Sequence, residues 1–359
     1  MSHLATPRWI ILAAVAIAAC STGPKAPTAE LALLPTGDTV LAPYGDIAAA
    51  APYGEHRWVL VAPQEPAVGI ADFSTHRLSP FATGAAAREL SQPFFLFASG
   101  DSIYIADWQQ RRLTAWSHSG VRGGETPAAA ALRGALPRGR DGQGRWYFEL
   151  KPNAGADGSG NRDSAAIVRT SPDLAQRDTV ARLAPPELVE VLNDGRRRME
   201  RRLLSGQDRW GVTGDGRVWV ARVSENRIDW RNGGETKRGA QLPDRVLTVT
   251  DNDRELFLNK FQPELRATVE QTPFAVVKPP FEDGLTDADG RVWLVKSRAI
   301  GDSLRYYQVV DSTGRLVASV AHAGHGRILA LTDSLAIVGE PFEDGMRLLL
   351  FRLPAFPTR

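Results

Sequence analysis

Ala288-Asp-Gly-Arg-Val-Trp293 is a tight turn running into a strand, and the chain carries the phrase more than once. Gly214-Asp-Gly-Arg-Val-Trp219 repeats it, and Asp141-Gly-Gln-Gly-Arg-Trp146 is a looser copy. Asp-Gly supplies the positive φ angles that a two-residue hairpin needs. The residues that follow, Val218 to Ala221 and Val292 to Val295, have the β-branched and aromatic character of strands. A second strand and turn come next, as in Tyr306 to Val310 followed by Asp311 to Gly314. Units of three or four antiparallel strands therefore recur.

Each tryptophan ends its six-residue phrase, and Trp146, Trp219 and Trp293 lie 73 and 74 residues apart. Self-similarity at a fixed period marks a repeat architecture, and a propeller blade takes about 40–50 residues. Each interval thus predicts one blade with an insertion. Counting weaker units gives six, near 55–88, 90–127, 133–184, 206–245, 281–322 and 325–354. The three tryptophans, at one offset in the repeat, are expected to pack between blades. Ala29 to Pro43 is left over, as two short strands about a turn at Thr36-Gly37-Asp38. Pairing with Arg347 to Leu353 would close the ring and remove exposed sheet edges. The expected fold is all-β, a six-bladed β-propeller with a short helical insertion and an N-terminal signal segment. A β-sandwich has the same turn density but needs no repeated phrase.

The formal net charge is +2, without the basic surplus of a nucleic-acid binder. Nothing after residue 20 is long and apolar enough to span a bilayer. Before it, Arg8 precedes the apolar run Trp9 to Ala19, the size of a signal-peptide core. Ile17-Ala-Ala-Cys20 resembles the bacterial lipobox. That resemblance implies a signal peptide over 1–19 and a lipid on Cys20, the only cysteine. It also implies a cell-envelope address, and Ser21 after the cysteine leans it toward the outer membrane, facing the periplasm. An ordinary secretory signal with a chance cysteine is the alternative. A flexible tether over 20–29 and one propeller domain over 30–359 complete the expected layout.

Two segments interrupt the strand rhythm. Near 185–205, Pro185-Pro186 leads to Arg196-Arg-Arg-Met-Glu-Arg-Arg202, either an anion or lipid-headgroup site or a solvated strand or helix face. Near 250–272, Thr250 or Asp251 is a candidate cap for a helix that Pro263 would kink or divide. It is expected over one mouth of the ring, as a lid or as a plug. The Gly-rich loop Lys151 to Asp163 lacks the Gly-Lys-Ser/Thr ending of a phosphate cradle and reads as a hairpin excursion.

Ile103-Tyr-Ile-Ala-Asp107, with Gln110, Arg112, Leu113 and Trp116, resembles the NHL repeat of six-bladed propellers. A second blade keeps Arg227, Ile228 and Trp230 but has Arg222 where the repeat has aspartate. The chain thereby resembles the six-bladed β-propeller lipoproteins of bacteria. That resemblance implies that Asp107, Arg112 and Arg227 tie strands together rather than react.

Sites of chemistry are sparse. His322 and His325 are three apart, but a zinc site needs at least three protein ligands. Glu282 and Asp283, in the first of two Pro-Phe-Glu-Asp-Gly copies, suit a hard cation such as calcium. Neither pair defines a site, and no cofactor is expected. Trp108 stands out of register with the other tryptophans and is the candidate ligand contact. The functional expectation is a lipid-anchored monomer that binds a protein or small molecule without catalysis. The alternative is a metal-dependent hydrolase of the lactonase type, acting at the central channel.

Overall fold

The computed structural model describes residues 29–81, 90–151, 164–193 and 195–356. The expected signal peptide, Cys20, most of the tether and most of the loop after Lys151 lie outside the described residues.

Four turns share one build. Asp141 Oδ1 accepts from the backbone N–H groups of Gln143 and Arg145, and Gly144 donates its N–H to the Asp141 carbonyl at 2.9 Å. Thr213 with Gly216, Asp287 with Gly290, and Asp311 with Gly314 repeat that backbone bond. The four glycines have φ of 78°, 86°, 75° and 80°, a region that side chains disfavour. The recurring unit is therefore Asp/Thr-x-x-Gly-Arg. It replaces the two-residue Asp-Gly hairpin expected above, and in the first copy the strained position is Gly144 rather than Gly142.

That register changes the aromatic equivalence. Counted from the glycine, Tyr147 matches Trp219 and Trp293, while Trp146 sits one residue early. Successive strand residues face opposite sides, so Trp146 turns toward the preceding blade and packs with Tyr104 at 5.3 Å. Tyr147, Trp219 and Trp293 turn toward the following blade.

The chain begins with β1 (Ala29–Ala32) and β2 (Leu34–Ala42). Blade one follows as β3 (Ala49–Pro52), β4 (Arg57–Ala62), β5 (Ala67–Asp72) and β6 (Arg77–Pro80). Blade two is β7 (Pro93–Ser99), β8 (Ser102–Asp107), β9 (Arg112–Ser117) and β10 (Arg122–Pro127). Blade three is β11 (Gly139–Arg140), β12 (Trp146–Leu150), β13 (Ala166–Thr170) and β14 (Arg177–Arg182). After the hairpin β15 (Leu188–Asn193) and β16 (Arg196–Arg201), blade four is β17 (Arg209–Val212), β18 (Val218–Arg222), β19 (Arg227–Asn232) and β20 (Glu235–Arg238). Helices α1 (Asp251–Leu258) and α2 (Pro263–Glu270) precede blade five, β21 (Phe281–Thr286), β22 (Val292–Lys296), β23 (Leu304–Val310) and β24 (Leu316–Ala323). Blade six is β25 (Arg327–Leu331), β26 (Leu335–Phe342) and β27 (Gly345–Arg352), completed by β2.

The fold is thus the expected six-bladed β-propeller. Its 73-residue interval is one blade plus one insertion. Closure uses the N-terminal segment in a different form from the expected hairpin. β2 pairs antiparallel with β27, and the Thr36-Gly37-Asp38 turn is an irregularity inside that single strand. β1 reaches the neighbouring blade and runs parallel to β24, as a fifth strand. The N-terminal segment therefore fastens two blades rather than one.

Thr250 and Asp253 form a reciprocal capping box on α1, and Pro263 opens α2 as its first residue, dividing the expected helix. Pro-Phe-Glu-Asp-Gly takes two conformations. The first copy enters the inner strand β21 at Phe281, and the second spans the turn from β26 to β27.

Among the described residues six apolar clusters hold the ring, one at each blade junction. Trp58, Leu348 and Ile337 join blades six and one; Trp116, Ile103 and Val59 join one and two. Trp219 fills the junction of four and five in space cleared by two glycines. A Cβ on Gly211 would lie 2.6 Å from its ring, and one on Gly284 2.9 Å. Each fully buried large side chain contributes about 1.5–3 kcal/mol, so stability is spread around the ring.

Candidate functional site

The inner strands of all six blades surround a central channel of about 1500 Å³. Each inner strand begins at one mouth, the upper, and ends in its first turn at the other. Ala49, Leu96, Leu329 and Phe94 give the wall apolar stretches. Arginines stand at the blade junctions. Arg140 donates to the Tyr104 hydroxyl and lies 4.6 Å over the Trp146 ring, joining blades two and three. Arg209 donates to the Glu282 carbonyl at 2.9 Å, joining four and five. Arg327 donates to the Ile47 carbonyl at 2.7 Å, joining six and one.

Inserted segments build up the upper mouth. The β15–β16 hairpin contributes Leu188, Met199, Glu200 and Arg201 to the channel wall. The arginine-rich stretch is therefore a strand, with Arg196, Arg197 and Arg198 exposed. Glu190 pairs with Arg197 at 3.2 Å and Glu187 with Arg202 at 2.5 Å, which neutralises part of its charge. The helical pair does not plug the channel: none of its described residues lines the wall. Instead α1 encloses a side cavity of about 340 Å³ against the hairpin base and blade five.

Trp108 is 63% exposed on the turn after β8, edge-on to Phe94 at 5.7 Å. Phe94 itself lines the channel, so the pair carries an aromatic surface from the rim into the wall. Beside it, Glu149 accepts from the Trp210 indole at 2.8 Å and faces Arg138 at 3.9 Å, and Arg138 lies 5.2 Å over Phe95. The upper mouth thus joins aromatic faces to cations, an arrangement that receives planar, acidic or apolar groups.

Asp107 is fully buried and receives the N–H groups of Ser91 at 2.6 Å, Gln92 at 3.2 Å and Gln110 at 3.0 Å. It ties the end of β8 to the segment before β7 and to its own turn. Arg112 pairs with Glu125 at 2.8 Å across β9 and β10. Arg227 donates to Asp229 at 2.8 Å. In blade four the NHL position holds Arg222, and the charge is reversed around it. Arg222 meets Asp208 at 2.7 Å and Asp229 at 3.1 Å, and Asp208 also accepts from Ala184 and Val223. Burial pushes the Asp229 carboxyl up, but Arg227 and Arg222 outweigh it and hold it below the usual range. Asp208 carried no motif; a lone aspartate just ahead of a strand gives no local signal.

His322 is buried, stacked edge-on against Phe351 at 4.9 Å, and its Nε2 has no hydrogen-bond partner among the described residues. Burial pushes its pKa down and Arg305 adds to that, against the opposing pull of Glu340. His325 faces Arg298 at 3.3 Å. Glu282 faces Arg305 at 3.4 Å, and Asp283 faces Arg209 at 3.6 Å. Among the described residues these groups do not gather into a set of three or more metal-ligating side chains. The channel arginines and Glu149 were not singled out in the sequence. Charge alone does not say which strand face meets the axis.

No family model matches the chain, and no curated protein matches it by sequence. By structure it is similar to a member of the DUF4221 family from Bacteroides vulgatus, at 8% identity and TM-score 0.51, covering 89% of this chain and 97% of that one. It is also similar to regucalcin, a calcium-binding protein from Agrobacterium tumefaciens (11% identity, TM-score 0.43, 90% and 96% covered), and to a streptogramin B lyase (13% identity, TM-score 0.40, 89% and 89% covered). At these identities the likeness to the first speaks for the fold alone: the chain is a six-bladed β-propeller.

Proposed function

We propose that this protein is a lipid-anchored propeller of the bacterial cell envelope that binds a protein or small-molecule ligand at the upper mouth of its channel and does not transform it. One observation carries the reading. Trp108 with Phe94, Arg138 with Glu149, and the hairpin residue Arg201 come from separate insertions and strands, yet they border one mouth. A rigid ring presenting inserted segments at one end is suited to recognition. Two of the channel acids support binding over hydrolysis, because they face basic or N–H groups. Asp287 meets Arg291 at 2.7 Å and the Trp293 indole at 2.9 Å, and Asp208 meets Arg222.

The address rests on Ile17-Ala-Ala-Cys20 behind its apolar run. Labelled palmitate should enter the wild-type protein and not Cys20→Ala. Equal labelling of both would remove the anchor from the account. For binding, a photoreactive residue in place of Trp108 should give a discrete adduct in cells.

A further inference from the structure

The side cavity beneath α1 has a composition of its own. One wall is apolar: Leu256 and Phe257 from α1, with Pro279 and Phe281 leading into blade five. The other carries Arg201 and Arg209, which also border the channel, and Lys260 stands at the rim. Two acids line the cavity and both are engaged. Asp253 is held by Lys278 at 2.5 Å and by the cap of α1, and Glu282 by Arg305 at 3.4 Å.

Arg201 has no carboxylate partner among the described residues. It donates its Nε–H to Ser205 Oγ at 3.3 Å, one Nη1–H to Gln207 at 2.9 Å and one Nη2–H to the Ser205 carbonyl. A guanidinium has five N–H groups, so two remain on a side chain already fixed in place. Burial pushes the Arg201 pKa down, and Arg209 nearby adds like-charge repulsion. Ser297 Oγ also lines the cavity, is buried, and has no hydrogen-bond partner among the described residues. The strand-to-blade turn is strained here as well: Leu204, another lining residue, has φ of 57°.

We infer that this cavity is a binding site for a small amphiphilic carboxylate, with the anion on Arg201 and its apolar body against Leu256, Phe257 and Phe281. A carboxylate matches the planar fork of arginine. A volume of about 340 Å³ suits a compact ligand of one ring or a short chain. The inference rests on the reading of this protein as a ligand binder; the cavity shares Arg201 and Arg209 with the channel, and its apolar wall under α1 sets it apart from the rim at Trp108.

The purified full chain in mild detergent would be titrated with 4-fluorophenylacetate and followed by fluorine NMR, with neutral 4-fluorophenylacetamide as the control. The acid is expected to bind at least about tenfold more tightly than the amide, the gain of one charge-assisted pair. Arg201→Gln should weaken the acid by about tenfold or more. Leu256→Asp should do the same, and at a side chain 52% exposed it leaves the core intact. Leu41→Asp, at a side chain 58% exposed on β2 and away from both pockets, should change nothing. Equal affinity for acid and amide, full binding by Arg201→Gln or Leu256→Asp, or no binding at all would overturn the proposal. Loss on Trp108→Ala alone would move the ligand to the channel rim and overturn it as well, while leaving the rim reading standing.

Discussion

The Tyr147 hydroxyl donates to Asp141 at 2.8 Å, the contact that the Trp293 indole makes with Asp287 at 2.9 Å in blade five. An aromatic donor at the same register thus locks these two turns to their strands, whereas Trp219 at that register donates to Thr286 of blade five at 2.7 Å. Tyr147 also lies 3.1 Å from the Gly216 carbonyl, so it fastens blade three to blade four. Tyr147→Phe is expected to cost about 1.5–3 kcal/mol, the range for a hydrogen bond to a charged group, read as a lower urea midpoint.

The same variant should change acid stability. Burial pushes the Asp141 carboxyl up, yet bonds from Tyr147 and Arg145 hold it below the usual range. A depressed carboxyl stabilises the fold above its unfolded value of about 3.9, and that stability is lost as pH falls toward the folded value. Tyr147→Phe should lose less stability than wild type between about pH 5 and pH 3. An unchanged acid profile would mean that Tyr147 does not set the Asp141 pKa.

Ring closure makes opposite demands on adjacent residues of β2. Val40 is buried among Leu348 and Ile337, whereas Leu41 is 58% exposed. Val40→Asp places a charge in an apolar junction and should lower stability by at least about 3 kcal/mol. Leu41→Asp should stay within about 0.5 kcal/mol of wild type. Thermal melts of the two variants decide whether this strand is integral to the ring.

Asp208→Asn removes one charge from the Asp208–Arg222–Asp229 chain. The Arg222 and Asp208 side chains are 14% and 1% exposed, so the loss should cost about 3 kcal/mol. Asp208→Leu with Arg222→Met should cost less than the two single changes added, because neither leaves the other's charge unpaired.

His322 supplies a titration near neutral pH. Its folded pKa lies below the unfolded 6.5, chiefly through burial. The folded state therefore takes up its proton later than the unfolded state, and stability falls as pH drops from about 6.5 toward the folded value. His322→Phe should flatten that part of the profile, with denaturant midpoints at pH 7.5 and pH 5 as the readout. An equal drop in both proteins would assign the slope elsewhere.

The blades carrying Asp/Thr-x-x-Gly-Arg could be read locally, because turn chemistry is written in adjacent residues. The helices were legible for the same reason: Thr250 and Pro263 each act within one turn, while Asp253, the other half of the capping box, was not singled out. Matching the phrase on tryptophan concealed Tyr147, which alignment on Gly144-Arg145, Gly216-Arg217 and Gly290-Arg291 would have exposed. The parallel pairing of β1 with β24 had no such signal. It joins residues such as Ala29 and Ala318, distant in sequence and identical in type. The channel lining was hidden for a related reason. Which face of a short inner strand meets the axis depends on how six blades close, not on any one of them.

Central to this account is recognition at the upper mouth, and in-cell photocrosslinking tests it most directly. A photoreactive residue would replace Trp108 at that mouth or Asp289 at the opposite one, in the full chain, with and without Arg138→Glu. A discrete adduct from position 108, weakened by Arg138→Glu and missing from position 289, is the expected result. Adducts from position 289 alone, or from both positions alike, would contradict it.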